Sequence, residues 1–481
     1  MLTGIVALLA MGCTGAEVSE TATLLSPCHV AGLDAESLCG EVTVFEDRAA
    51  GAGREIALRV LVIPAISPYP RPDPLFFLAG GPGQAASEVA STILPALTQV
   101  QRRRDLVFVD QRGTGQSNGL RCPSDDSLGL RELLELDPIT ETRACRDALA
   151  VDANLRLYTT DLAVDDLESV RQALGYGPVN LYGVSYGTRV AIEYARRHRD
   201  AVRTVILDGV VPPQMSVGLH FAQDGQAALD AMFADCEADP GCSAAFPSLR
   251  SGFAETLARL SVEPPLEVTI THPRTGVTQS IPMTRETFAG GVQGMLYAPA
   301  LSSLAPLTLH GAHQGDFSPF VAQTLGMSES IGGSIYEGMR MSVMCAEDAH
   351  RYPADTTEYT EGTTLSDMAL AGLREGCAEW PTADAPAGID EPLVSDVPTL
   401  LLSGALDPVT PPRWGALAAE TLSAGLHLVA PGAGHNVGPS GCVPRVMADF
   451  IEEGSADGLE VDCVDKIARP PFFIDFAGPA Q

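Results

Sequence analysis

Lysine is nearly missing from this chain: Lys466 is the only one in 481 residues. Acidic side chains number 61 against 30 basic ones, a formal net charge of -31. A surface of that sign offers no basic face for phosphates, so nucleic acid is not an expected partner. No C-x-x-C pair and no histidine-rich cluster occurs, so neither a metal site of the usual spacing nor any cofactor is expected. The glycine loop Gly80-Gly81-Pro82-Gly83 has neither Gly-Lys-Ser/Thr nor G-x-G-x-x-G, which argues against a phosphate cradle.

The apolar N-terminal stretch with Leu2, Ile5, Val6, Leu8 and Leu9 is too short to span a bilayer and suits the apolar part of an export signal. Small residues before Cys13 resemble a bacterial lipoprotein cleavage site, with Cys13 as the lipidated residue and a lipid anchor as the result. Ala10 in place of the usual leucine, and the lack of a preceding Lys or Arg, depart from that pattern. Lipidation at Cys13 and simple cleavage therefore both stay open, while export to the periplasm or beyond is expected. Without Cys13, ten of the 11 cysteines remain, an even number that suits an oxidising compartment. Sequence neighbours suggest the pairs Cys28 with Cys39, Cys122 with Cys145, Cys236 with Cys242, Cys345 with Cys377, and Cys442 with Cys463.

Apolar runs alternate with helical patterns along much of the chain. Strands are expected at 42–45, 56–63, 74–78, 105–110, 179–184, 204–208, 397–404 and 426–430, the first two as an antiparallel hairpin. The alternation implies βαβ units and a mostly parallel central sheet, with chemistry gathered at the carboxyl ends of the strands. Residues 211–394 break this rhythm with helical patterns and read as an inserted helical cap. The expected division is an export signal at 1–13, a linker and disulfide-closed lead-in at 14–40, the first part of the core at 41–210, the cap at 211–394, and the second part of the core at 395–481.

Within that frame, Gly183-Val184-Ser185-Tyr186-Gly187 is a G-x-S-x-G turn between a buried strand and a helix, the nucleophile-elbow pattern, with Ser185 as nucleophile. A serine hydroxyl needs a base to take its proton and an acid to orient that base. Asp407 lies just past one later strand and His435 in a glycine loop past the next, so order, type and position agree with an acid and a base. Asp208 also ends a strand and is the alternative acid. Of the other histidines, His427 falls within a strand and His198 on a charged helix end, and neither has the surroundings of a base. Backbone N–H groups of Tyr186 and of Gly81 are the expected oxyanion donors. The segment around Asp110 and Arg112 reads as support for the oxyanion loop.

These motifs together resemble the tripeptidyl and prolyl aminopeptidases of the α/β-hydrolase fold: Gly80-Gly81-Pro82-Gly83, the run from Asp110 to Ser117, the serine turn, the run from Gly404 to Pro411, and Gly434-His435. The similarity runs from about residue 55 to 465. Ala79 before the glycine loop, and Cys442 and Cys463 after the histidine, resemble the secreted tripeptidyl-type branch. What the resemblance implies is a serine exopeptidase that acts on peptide substrates with a free N-terminus. It also implies a cap carboxylate for the substrate's ammonium, here Glu347 first and Asp348 second, in Met344-Cys345-Ala346-Glu347-Asp348. An esterase on the same three residues is the alternative, because fold does not fix substrate. A non-catalytic binding protein would need a broken triad, whereas all three members are present.

Overall fold

The computed structural model describes residues 24–34, 36–123, 129–330 and 332–479. The expected export signal and Cys13 lie outside the described residues. Eleven strands position the site: β1 (Leu25–Cys28), β2 (Ser37–Phe45), β3 (Glu55–Ile63), β4 (Leu75–Leu78), β5 (Leu106–Val109), β6 (Val179–Val184), β7 (Val202–Asp208), the hairpin β8 (Leu266–Thr271) and β9 (Thr278–Met283), β10 (Thr399–Gly404) and β11 (Gly425–Ala430).

All but the hairpin form one sheet in the order β1-β2-β3-β5-β4-β6-β7-β10-β11. β1, β2 and β3 pair antiparallel, β3 meets β5 antiparallel, and every pairing from β5 through to β11 is parallel. The sheet thus begins before residue 41. β1 is only four residues long, with two exposed positions between two half-buried ones, too little pattern to stand out in the sequence, and the Cys28–Cys39 disulfide ties it to β2.

The parallel strands β4, β5, β6, β7 and β10 are buried on both faces, which is why they read as unbroken apolar runs, whereas β11 at the sheet's edge is partly exposed. Phe76, Val107, Leu181, Val205 and Leu401 join one core layer, shared with Val164 and Leu167 of the helix Thr160–Ala173 and Val190 of the helix Tyr186–Arg197. Their alternates Phe77, Phe108, Tyr182, Ile206 and Leu402 join the other, against Leu97 of the helix Ala86–Gln101 and Phe450 of the helix Val443–Glu453. Arg112, fully buried, crosses from the loop after β5 to Asp166, with Nε and Nη2 at 2.6 and 2.8 Å from its two oxygens. Asp110 accepts the Ser87 N–H at 2.8 Å and the Gln116 N–H at 3.2 Å, fastening the first turn of the helix Ala86–Gln101 to the loop after β5.

β7 and β10 are hydrogen-bonded neighbours, with Thr399 opposite Val205, so residues 209–398 leave the sheet and return beside the strand they left. This excursion carries the β8–β9 hairpin and an aromatic core of its own around Phe253, Phe288, Phe317 and Phe320. The helix Glu337–Glu347 behaves differently: Met339, Met341, Val343 and Cys345 pack into the core layer of the sheet. Five disulfides join the five expected pairs. Among the described residues no helix is long and apolar enough to cross a membrane.

Candidate active site

β6 ends at Val184 and the helix Tyr186–Arg197 begins two residues on, which leaves one residue to make the turn. That residue, Ser185, has φ +55° and ψ -124°, a conformation costly for a residue with a side chain. The flanking glycines permit it: a Cβ on Gly183 would lie 2.3 Å from the Gly187 carbonyl oxygen, and one on Gly187 would lie 2.1 Å from that of Leu78. The Ser185 N–H donates to the Asp208 carbonyl at 2.8 Å, and the Thr188 hydroxyl donates to the Ser185 carbonyl at 2.6 Å.

Beyond β4 the chain turns through Gly81, at φ +111°, and the Gln84 N–H closes the turn on the Gly80 carbonyl at 3.2 Å. Tyr186 opens its helix, where a backbone N–H has no acceptor one turn earlier. Gly81, Ser185, Tyr186 and His435 all line one cavity of about 530 Å³.

The loops after β10 and β11 bring the acid to the base. Oδ1 of Asp407 accepts the N–H groups of Val409 and Thr410 at 2.9 and 2.8 Å, and Oδ2 accepts the Thr410 hydroxyl at 2.7 Å. His435 Nδ1 lies 2.8 Å from the same Oδ2. Burial alone would raise the Asp407 carboxyl, but the His435 imidazole and the hydrogen bonds from Thr410 together outweigh it and hold the group below its ordinary value. Conversely, burial would lower His435, yet the Asp407 carboxylate and the charge of Asp208 together outweigh burial and raise it. The His435 N–H is held by the Tyr297 carbonyl at 2.9 Å, and the Tyr297 ring stands edge-on to the imidazole with centroids 5.4 Å apart.

Asp208, the alternative acid, does not take the histidine ring. Its carboxylate accepts the Val437 and Gly438 N–H groups and the Tyr182 hydroxyl at 2.6, 2.7 and 3.0 Å. His427 Nε2 pairs with the Ser403 hydroxyl at 2.9 Å and His198 Nε2 with Asp165 at 3.3 Å.

Glu347 and Asp348 stand differently from the expectation that they receive a substrate's ammonium. Both are fully buried and neither lines the cavity. Glu347 accepts the Thr160 N–H at 2.7 Å and its hydroxyl at 2.8 Å. Asp348 takes a forked pair from Arg189 at 2.8 and 3.0 Å, plus the Val217 N–H at 2.8 Å. Arg189 itself projects from the helix that Ser185 opens, and Nη1 reaches Glu347 at 3.6 Å. The carboxylates are consumed by a buried cation of the fold, because a buried guanidinium must be paired. Arg189 and Thr160 carried no signal in the sequence, and Thr410 only that of a threonine three residues after the aspartate in the run from Gly404 to Pro411.

The cavity's remaining wall is largely apolar, with Val211, Met215, Val217, Phe221 and Met344. Arg340 also lines it and is held by Glu337, with Nε 2.7 Å from Oε2.

Two families match the sequence: the alpha/beta hydrolase fold over residues 73–245 and TAP-like protein over residues 363–463. Over 467 residues the chain is 26% identical to serine protease Hip1 of Mycobacterium tuberculosis, covering 89% of this chain and 87% of the relative. Tripeptidyl aminopeptidase of Streptomyces lividans is 29% identical over 192 residues, 36% of this chain and 35% of that protein. Proline iminopeptidase of Neisseria gonorrhoeae is 29% identical over 138 residues, 28% of this chain and 32% of that one.

Proposed function

Starting from a chain that belongs to the α/β-hydrolases of the tripeptidyl aminopeptidase-like family and is a serine hydrolase of peptidase type, we propose that it is an exported exopeptidase. It releases short N-terminal units, a tripeptide or a single residue such as proline, through an acyl-enzyme on Ser185. The observation that carries this reading is the 2.8 Å contact of Asp407 with His435 Nδ1 at the wall of the cavity that Ser185 also lines.

In the first half-reaction His435 takes the Ser185 proton as the oxygen attacks the scissile carbonyl, then returns it to the leaving amine. Asp407 fixes the imidazole so that Nε2 is the free base and stabilises the imidazolium that forms. The N–H groups of Gly81 and Tyr186 hold the oxyanion, a contribution of about 10²–10³ in rate for each such donor. Water then enters with His435 again as base and frees the acyl group. Five disulfides and the N-terminal signal pattern support export.

The apolar cavity wall favours a second reading, an esterase for apolar acyl groups on the same three residues. One comparison separates them: chromogenic peptides of one, two and three residues, free and N-acetylated, alongside a p-nitrophenyl ester. Loss of rate on acetylation supports the exopeptidase. Indifference to acetylation, with the ester fastest, replaces it by the esterase.

A further inference from the structure

Among the described residues Asp208 alone is bonded to both the nucleophile's turn and the base's loop. Its carbonyl oxygen accepts the Ser185 N–H at 2.8 Å. Its carboxylate, fully buried at the end of β7, accepts two consecutive N–H groups, those of Val437 and Gly438, at 2.6 and 2.7 Å. Those residues follow His435 directly across a sharp reversal, Asn436 having φ +71°. The strand between, β10, meets β7 in parallel, and the Gly209 N–H continues that ladder to the Leu402 carbonyl at 3.0 Å. Little room is left there: a Cβ on Gly438 would fall 2.9 Å from Asp208 Oδ2 and 2.1 Å from the Tyr182 hydroxyl, and one on Gly209 would fall 3.1 Å from His435 Cε1.

We propose that Asp208 is a positioning residue of the reaction assigned above: its main chain holds Ser185, its carboxylate holds the loop of His435, and its charge supports the imidazolium alongside Asp407. The proposal rests on the hydrolase reading of the site. An aspartate is suited to the place because a carboxylate accepts from both N–H groups at once, whereas an amide would turn its NH₂ toward one of them. Burial raises the Asp208 carboxyl, while the two N–H bonds, the Tyr182 hydroxyl and the charge of His435 oppose that rise. The charged and titratable groups facing His435 are Asp407 and Asp208, with Tyr297 beside the ring; Tyr182 faces Asp208.

The test compares wild type with Asp208→Asn on a p-nitrophenyl ester, counting competent sites in each preparation with a fluorophosphonate that labels Ser185. The expected result is a fall of about tenfold or more in kcat per labelled site with KM little changed, and an acid limb of kcat/KM displaced about half a pH unit or more to lower pH. A residue that only held the fold would reduce the number of labelled sites and leave both the turnover per site and the limb in place; that result overturns the proposal. Should Asp208→Asn yield no folded protein, Tyr182→Phe decides, since it removes one hydroxyl from Asp208 at nearly constant volume and makes the carboxylate easier to protonate. A kcat lower by about two- to fivefold with the limb moved the same way supports the proposal; an unchanged kcat and limb overturn it. An active wild type beside an unaltered Asp208→Asn defeats this proposal alone, whereas a wild type that neither turns over nor takes label defeats the hydrolase reading and the proposal with it.

Discussion

Thr410 gives Asp407 two hydrogen bonds, its N–H to Oδ1 at 2.8 Å and its hydroxyl to Oδ2 at 2.7 Å. That hydroxyl also stands 3.1 Å from His435 Nδ1. The acid is therefore locked by its own loop before it meets the histidine. Thr410→Val keeps the shape and the N–H bond but removes the hydroxyl. A hydrogen bond to a charged group contributes about 1.5–3 kcal/mol, so kcat/KM should fall about ten- to hundredfold, mostly in kcat, with Thr410→Ser close to wild type. Steady-state kinetics on one chromogenic substrate checks this. Equal activity of the valine variant would show that the N–H bonds of Val409 and Thr410 suffice.

Much of this site is readable in the sequence because it is written in short-range backbone chemistry. Ser185, Asp407 and His435 each follow an apolar strand that is recognisable alone, and Gly183 and Gly187 mark a turn that tolerates no Cβ. Glu347 and Asp348 show the opposite case. Their partners Thr160 and Arg189 lie 187 and 159 residues away, and nothing local says whether an acidic pair ending a helix meets solvent, substrate or a buried arginine. Asp208 looked like a candidate acid for a sound reason, being at a strand end beside the site; only the folded loop shows its oxygens turned to Val437 and Gly438 instead of the imidazole. β1 escaped notice because an edge strand of four half-exposed residues has no periodicity to detect.

Glu347 gives the fold a pH-dependent element. Burial pushes its carboxyl up to about 7, against the opposing pull of Arg189 and the Thr160 N–H. The native pKa lies above the unfolded value near 4.5, so the native state holds the proton more tightly. Its contribution is complete below about pH 4.5, declines as pH rises towards 7, and then stays constant, a change on the order of 3 kcal/mol. Glu347→Gln preserves the shape, keeps an acceptor for the Thr160 N–H and cannot ionise, so its urea-unfolding free energy should lose this decline. Because the side chain does not line the cavity, hydrolysis of free and N-acetylated peptides should change in equal proportion. A selective loss on free peptides would return Glu347 to the role of ammonium acceptor.

The Cys345–Cys377 disulfide closes a loop with a sequence separation of 32 and joins the helix Glu337–Glu347 to the helix Met368–Glu379. Chain-entropy arguments give a cross-link of that length about 3–4 kcal/mol. Replacing both cysteines by serine should lower stability to denaturant by up to that amount. Turnover per labelled Ser185 should be unchanged, since the bond lies outside the cavity lining. Denaturant titration with active-site counting separates the two effects.

His435 must be neutral to take the Ser185 proton, so activity rises with pH as the imidazolium is lost. Burial would favour early loss of that proton, but the Asp407 carboxylate 2.8 Å away, with the charge of Asp208, outweighs burial and retains it. The midpoint of the acid limb of kcat/KM should consequently lie above 6.5, the ordinary value for histidine. Asp407→Asn removes the charge and offers an amide whose NH₂ can face Nδ1, which favours the wrong tautomer. It should therefore lower kcat about 10³–10⁴-fold and move the midpoint below that of wild type. The midpoint comes from a pH series of fluorophosphonate labelling rates at Ser185, and the fall in kcat from turnover of one p-nitrophenyl ester, neither of which needs knowledge of the natural substrate. A wild-type midpoint under 6.5, or an Asp407→Asn variant with the wild-type midpoint, would mean that Asp407 does not control the charge of His435.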